Sequence, residues 1–169
     1  MNQPMTATTI DPEREARQLL STAWDDRPLP VDPIQIAKRL GIKVYSAGLA
    51  EGVAGMLRKR PGLDPEIFVN GSDSLNRQRF TIAHELGHYV KHVAAGEDNW
   101  EHVDYRDALS GRGTDGDEIF ANQFAAGLLM PREEVVRLRN EGYSVAALAL
   151  EFGVSEEAMN FRLANLRLK

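Results

Sequence analysis

Residues 79–92 read RFTIAHELGHYVKH, and this run restricts the possible fold more than any other stretch of the chain. It holds no proline, and Ile82, Leu86, Val90 and Val93 recur at helical spacing. The segment is therefore expected to be a helix whose apolar stripe faces a core. Within it stands His84-Glu85-Leu86-Gly87-His88, an HExxH string. Four helical residues advance the chain by about 400°, so the two imidazoles leave the helix only roughly 40° apart. They can share one tetrahedral metal ion while the glutamate between them flanks its water. Both histidines lie across the helix from the apolar stripe, which points them at a cleft or a second layer rather than into the core.

The chain has no cysteine, so any metal sits on His, Asp or Glu, and neither a thiolate site nor a disulfide framework is available. Two histidines do not complete a catalytic zinc site, which uses three protein ligands and keeps one position open. The next ligand of metzincin-type sites falls six residues past the second histidine, and here that residue is Ala94. His92 reads instead as a hydrogen-bonding residue at the helix end, where a cation suits the dipole. The acidic candidates are Asp115, Asp117 and Glu118, at the start of EIFANQFAAGLLMP. On a helical wheel Glu118, Asn122, Ala125 and Leu129 share a face with Ala126 beside them. Such small residues let this helix approach the histidine helix, and Glu118 stands best placed. A first-turn acid favoured by the helix dipole is an equally good account of it at this point. Asn122, one turn on, is expected to orient a ligand or tie the two helices together, and Phe120, Phe124 and Leu128 to lie in the core.

The remaining chain reads as α+β with helices dominant. Its 169 residues suit one domain and its 43% hydrophobic content suits a packed core. Residues 1–9 are expected to be a flexible tail, residues 10–130 a zincin-like core and residues 131–169 a C-terminal helical segment packed on it. Asp11 opens a helix, and Asp32-Pro33 opens a short one that stops at Gly41. The stretches IKVY, VAGML and EIFVN, separated by Gly and Pro, predict a small antiparallel sheet. Residues 95–116 are expected to form a loop. No leader and no apolar run long enough to span a bilayer is visible, which points to the cytoplasm. The net charge of −5 offers no general attraction for phosphate backbones.

The two segments RFTIAHELGHYVKH and E-x-x-A-N-x-F-A-A-x-L-L-M-P, about thirty residues apart, resemble the ImmA/IrrE family of metallopeptidases. The short Asp-Pro-Ile-x-Ile-Ala helix, the IFVN strand and the FGVSEEAM tail resemble it too. The resemblance implies one Zn²⁺ per chain held by His84, His88 and Glu118, with Glu85 as the catalytic base. It implies a protein substrate, since members cleave helix-turn-helix repressors often encoded nearby. Members with an added C-terminal sensor domain are longer, so no such module is expected here.

Candidate donors for a developing oxyanion are Tyr105, His102 and Arg79, which the sequence does not separate. An extended substrate is expected to join a sheet edge, either Glu66 to Asn70 or its hairpin partner Ala54 to Arg58. Residues 144–168 resemble a helix-turn-helix, yet the second helix opens Ser155-Glu156-Glu157, which repels phosphates. Arg162, Arg167 and Lys169 come late, where the helix dipole accounts for them, so an αα pair closing the core is expected and nucleic acid is not. Besides a zinc endopeptidase, two other readings remain: a binding partner in a toxin-antitoxin or regulatory pair, and a DNA-binding protein.

Overall fold

The structure, a computed structural model, describes residues 10–25, 27–105 and 115–168. The expected tail at residues 1–9 and residues 106–114 of the expected loop lie outside the described residues. Helix α1, Pro12–Ala23, begins where the Asp11 side chain accepts hydrogen bonds from the amides of Glu13 and Arg14. Helix α2, Pro33–Arg39, begins the same way on Asp32, and each has proline in its first turn. Strands β1 (Lys43–Ala47), β2 (Val53–Lys59) and β3 (Glu66–Asn70) follow. Then come helix α3 (Leu75–Ala94), strand β4 (Trp100–Tyr105) and helix α4 (Gly116–Leu129). The chain closes with α5 (Arg132–Asn140), α6 (Val145–Phe152) and α7 (Glu156–Asn165). The architecture is α+β, as the sequence predicts.

The sheet order is β1-β3-β2-β4. It is mixed rather than wholly antiparallel: β2 runs antiparallel to β3 and β4, whereas β1 runs parallel to β3. The β2–β3 hairpin uses one edge of β3, which leaves β1 the other edge. Two expectations fall with this order. Neither β3 nor β2 is an edge strand, and part of the expected loop, Trp100 to Tyr105, is a strand that occupies an edge.

One face of the sheet lies on α3, where Leu57, Ile67 and Val69 meet Ile82, Ala83 and Leu86 in the core. Gly55 permits this contact, because a Cβ there would stand 2.4 Å from Thr81 Cγ2 and 2.8 Å from Glu85 Oε1. Helix α4 covers another side of α3. The two helices come close at Gly87, where a Cβ would lie 3.0 Å from Ala121 Cα. Phe120, Phe124 and Leu128 are buried, as expected.

The C-terminal helices turn on Gly153, which adopts φ 62°, the left-handed cap conformation glycine accepts most readily. Arg162 is not a solvent-exposed dipole partner. It is 3% exposed, donates from Nε to the Met130 carbonyl at 3.0 Å, and pairs with Glu13 of α1. Arg79 ties α3 to this region by donating to the carbonyls of Val31, Phe152 and Gly153. Among the described residues no helix is long and apolar enough to cross a membrane.

Candidate metal centre

The middle of α3 is buried on all sides: His84 and Glu85 are 0% exposed and His88 is 3% exposed. The histidines do face a second layer, as their position off the apolar stripe predicts, and that layer is β4 with α4. Strand β4 returns along α3 with Trp100, His102 and Asp104 turned inward. Two strand residues span about 6.6 Å and four helical residues about 6.0 Å, so the two elements stay in step. Trp100 stacks on His92 with ring centroids 4.6 Å apart, and His102 lies over His88 at 3.9 Å. The next rung sets Asp104 Oδ2 3.2 Å from His84 Nε2.

Helix α4 contributes Glu118 from its first turn. Its carboxylate lies 3.4 Å from His84 Nε2 and 3.2 Å from His88 Nε2, and the two Nε2 atoms are 3.1 Å apart. A tetrahedral zinc site with bonds of about 2.0–2.1 Å has ligand-to-ligand edges of roughly 3.3 Å. The spacing found is thus that of a metal coordination shell. His84, His88, Asp104 and Glu118 each bring one donor atom into a group spanning at most 4.8 Å, and the group could hold a metal ion. Asn122 Oδ1 lies 2.9 Å from His84 Nδ1, which as the N–H donor leaves Nε2 free for metal.

The electrostatics agree with a cation site. Asp104 Oδ2, Glu118 Oε2 and both Glu85 oxygens are buried without a well-formed hydrogen bond, which is costly unless a positive charge compensates. Burial pushes the Glu85 carboxyl well above its usual range, and the neighbouring Asp104 and Glu118 charges push it further. Burial opposes charge on His84, yet its contacts with Asp104 and Glu118 outweigh that and hold it up to about 9. His102 is raised to about 10 by the same two carboxylates. His88 is lowered, by burial first and then by the charges on His84 and His102. Hydrogen bonds from the histidines hold Glu118 well below the usual carboxylate range. Asp104 is likewise held low: burial works against it, and its bonds to His102 and His84 prevail. Without metal, two protons therefore balance two carboxylates, and a divalent cation carries the same charge.

The other residues singled out in the sequence separate clearly. Asp115 caps α4 and Asp117 pairs with Lys91, so neither is in the group. His92 bonds to Glu97 at the helix end, as expected. Of the three oxyanion donors considered, Arg79 is committed to backbone carbonyls and Tyr105 faces outward at 57% exposed. Only His102 reaches the site, 2.8 Å from Asp104 and 2.9 Å from Glu118. Asp104 was not among the sequence candidates. The signal that reveals it is the alternation Trp-x-His-x-Asp inside a run of strand-forming residues.

Residues 37–164 match the family profile described as IrrE N-terminal-like domain, of the M78 peptidases. Comparison with curated proteins gives no match. Among solved structures, a Mycobacterium tuberculosis transcriptional regulator superposes with a TM-score of 0.64 at 19% identity, over 91% of this chain and 46% of that one. The chain thus spans less than half the length of that regulator, and the likeness is one of fold. With the profile covering well over half of its length and a His and carboxylate group of metal-binding geometry at its centre, the chain belongs to the M78 peptidase family of metallopeptidases.

Proposed function

We propose that the chain is a cytoplasmic zinc-dependent endopeptidase of the HExxH type, with one Zn²⁺ on His84, His88 and Glu118 and with Glu85 as general base. The observation that carries this reading is the meeting of the two Nε2 atoms, 3.1 Å apart, with the Glu118 carboxylate beside the Glu85 side chain. Zinc, when bound, lowers the pKa of water toward neutrality and polarises a carbonyl. Glu85 accepts the proton of the attacking water at its carboxylate and later gives it to the leaving amine. Asn122 holds the His84 ring in place, and His102, with Nε2 2.9 Å from Glu118 Oε1, holds the carboxylate ligand.

The substrate in this reading is another protein, best a helix-turn-helix repressor encoded nearby, entering as an extended segment. Among the described residues β4 is the edge strand beside the site, and its edge is where such a segment adds as a strand. The C-terminal helical pair does not favour DNA: Glu156 and Glu157 open α7, and Arg162 is locked inside.

Glu85→Gln tests the proposal. It spares the ligands, so the variant is expected to retain zinc and to bind the neighbouring repressor. Cleavage, followed by mass spectrometry of the products, is expected to fall by about 10²- to 10⁴-fold. A variant that cuts at the wild-type rate refutes the assignment. A zinc-loaded wild type that binds the repressor and never cuts it supports the partner role instead.

A further inference from the structure

We propose that Asp104 is a fourth protein ligand, so that the conformation described is a latent one in which the chain itself fills the position a substrate carbonyl or water needs. The inference rests on the reading of His84, His88 and Glu118 as metal ligands. Catalytic zinc sites keep one position open, whereas sites with four protein ligands are closed and structural. Here the fourth corner is taken. Asp104 lies 3.2 Å from His84 Nε2 through Oδ2 and 3.8 Å from His88 Nε2 through Oδ1. The residue is 1% exposed, and Oδ2 is buried with no well-formed hydrogen bond, aimed at the point where the other three donors converge.

The base is sealed as well. Glu85 is 0% exposed, with the glycine backbone of Gly55 on one side and Asp104 on the other. In this conformation Glu85 has no exposed surface among the described residues.

Strand β4 supplies both the hold and the release. Its rungs against His92, His88 and His84 set Asp104 at the centre. Its pairing with β2 shifts register between Val53 and Gly55, so that Asp104 sits opposite an irregularity of the kind that re-aims a side chain. Among the described residues β4 is an edge strand that pairs with β2, so moving it breaks no other described pairing in the sheet. On release the carboxylate leaves the metal and a neutral ligand takes its position, with no proton transferred. The freed Asp104 keeps a partner, because His102 Nε2 already lies 2.8 Å from Oδ1.

The test reads coordination rather than proteolysis. The full chain is loaded with Co²⁺, and its visible spectrum is followed as acetohydroxamate, a chelating metal probe, is added. Wild type is expected to show the intense bands of a four-coordinate ion that the probe moves little. Asp104→Ala is expected to show the weaker bands of an expanded shell, to bind the probe at least about tenfold more tightly, and to hold Co²⁺ about 10- to 100-fold more weakly. Asp104→Asn keeps the side-chain size and is expected to give the same result if the alanine variant does not fold. A wild type that takes the probe as readily as Asp104→Ala, or a spectrum untouched by both substitutions, overturns the latent-ligand role alone. A wild type that binds no Co²⁺ overturns the metal-site reading with it.

Discussion

Gly87→Ala separates the cost to the fold from the cost to the metal centre. On an interior helical position alanine is better than glycine by about 0.8–1.0 kcal/mol. Against this, the new Cβ would stand 3.0 Å from Ala121 Cα and 3.2 Å from Phe124 Cδ1. The phenyl ring can turn aside, but Ala121 Cα is backbone, so relief means moving α4. Carbon atoms settle at about 3.5–4.0 Å, which asks for roughly 0.5–1.0 Å of displacement. Overpacking of this kind costs about 1–3 kcal/mol, and the net loss is therefore about 0–2 kcal/mol. For a chain of this length that lowers Tm by about 0–8 °C. The metal centre is less forgiving. Glu118 lies one turn before Ala121 and moves with it, while ligand distances tolerate only about 0.2 Å. Zinc affinity, measured by competition with a chromophoric chelator, is expected to fall at least about tenfold, with most of the thermal stability retained. Wild-type zinc affinity in a folded Gly87→Ala protein would refute the argument that this close approach sets the position of Glu118.

The opposite pattern is expected of Arg162→Met, which leaves the Met130 carbonyl without its donor and Glu13 without its partner. The loss is about 2 kcal/mol, seen as a Tm lower by about 4–8 °C. Zinc affinity stays unchanged, because Met130 and Glu118 lie at opposite ends of α4. A chain that loses zinc and keeps its Tm would contradict this. Stability of the metal-free chain is expected to depend on pH in a definite sense. His84 and His102 titrate near 9 and 10 in the fold but near about 6.5 when unfolded. Their contribution is full below about 6.5 and is lost as pH rises through 9 to 10. Melting curves of chelator-treated protein between pH 6.5 and 10 should therefore fall with pH, and zinc should flatten them by replacing the proton on His84. A flat metal-free profile would speak against the proton count at the centre.

The parts of the fold that announce themselves in the sequence are those whose local chemistry agrees with their tertiary role. Asp11 and Asp32 stand before proline and cap helices, and the HExxH run is a helix because nothing in it resists one. Glu118 is legible only by resemblance, since a first-turn acid is ordinary and its use depends on an approach made by Gly87. Strand β4 escaped detection for a specific reason. Its inward residues are Trp100, His102 and Asp104, while Val103 and Tyr105 face solvent. A strand that lines a metal centre inverts the usual polar-out pattern, so its periodicity reads as loop. Strand pairing was equally hidden. The stretches IKVY and EIFVN are recognisable as strands, but their parallel alignment follows from the β2–β3 hairpin having claimed one side of β3. Arg162 reads as a tail-end charge in the sequence because its partners, Glu13 and Met130, are far away along the chain.

The pairing of β4 with α3 rung by rung bears on which changes of length the chain can absorb. Side chains of a strand alternate between faces, so one residue inserted between Trp100 and Asp104 would turn every inward group on one side of the insertion outward. The carboxylate would leave the centre, or the aromatic anchor would leave His92. Residues 95–99 stand outside the ladder and can lengthen without changing which groups point in, because extra loop costs little. Two residues inserted within the strand keep the facing but advance it by one helical turn, bringing a different side chain opposite His84. Length variation in this part of the molecule is therefore confined to the loop, and the strand behaves as a ruler whose graduations are the turns of α3.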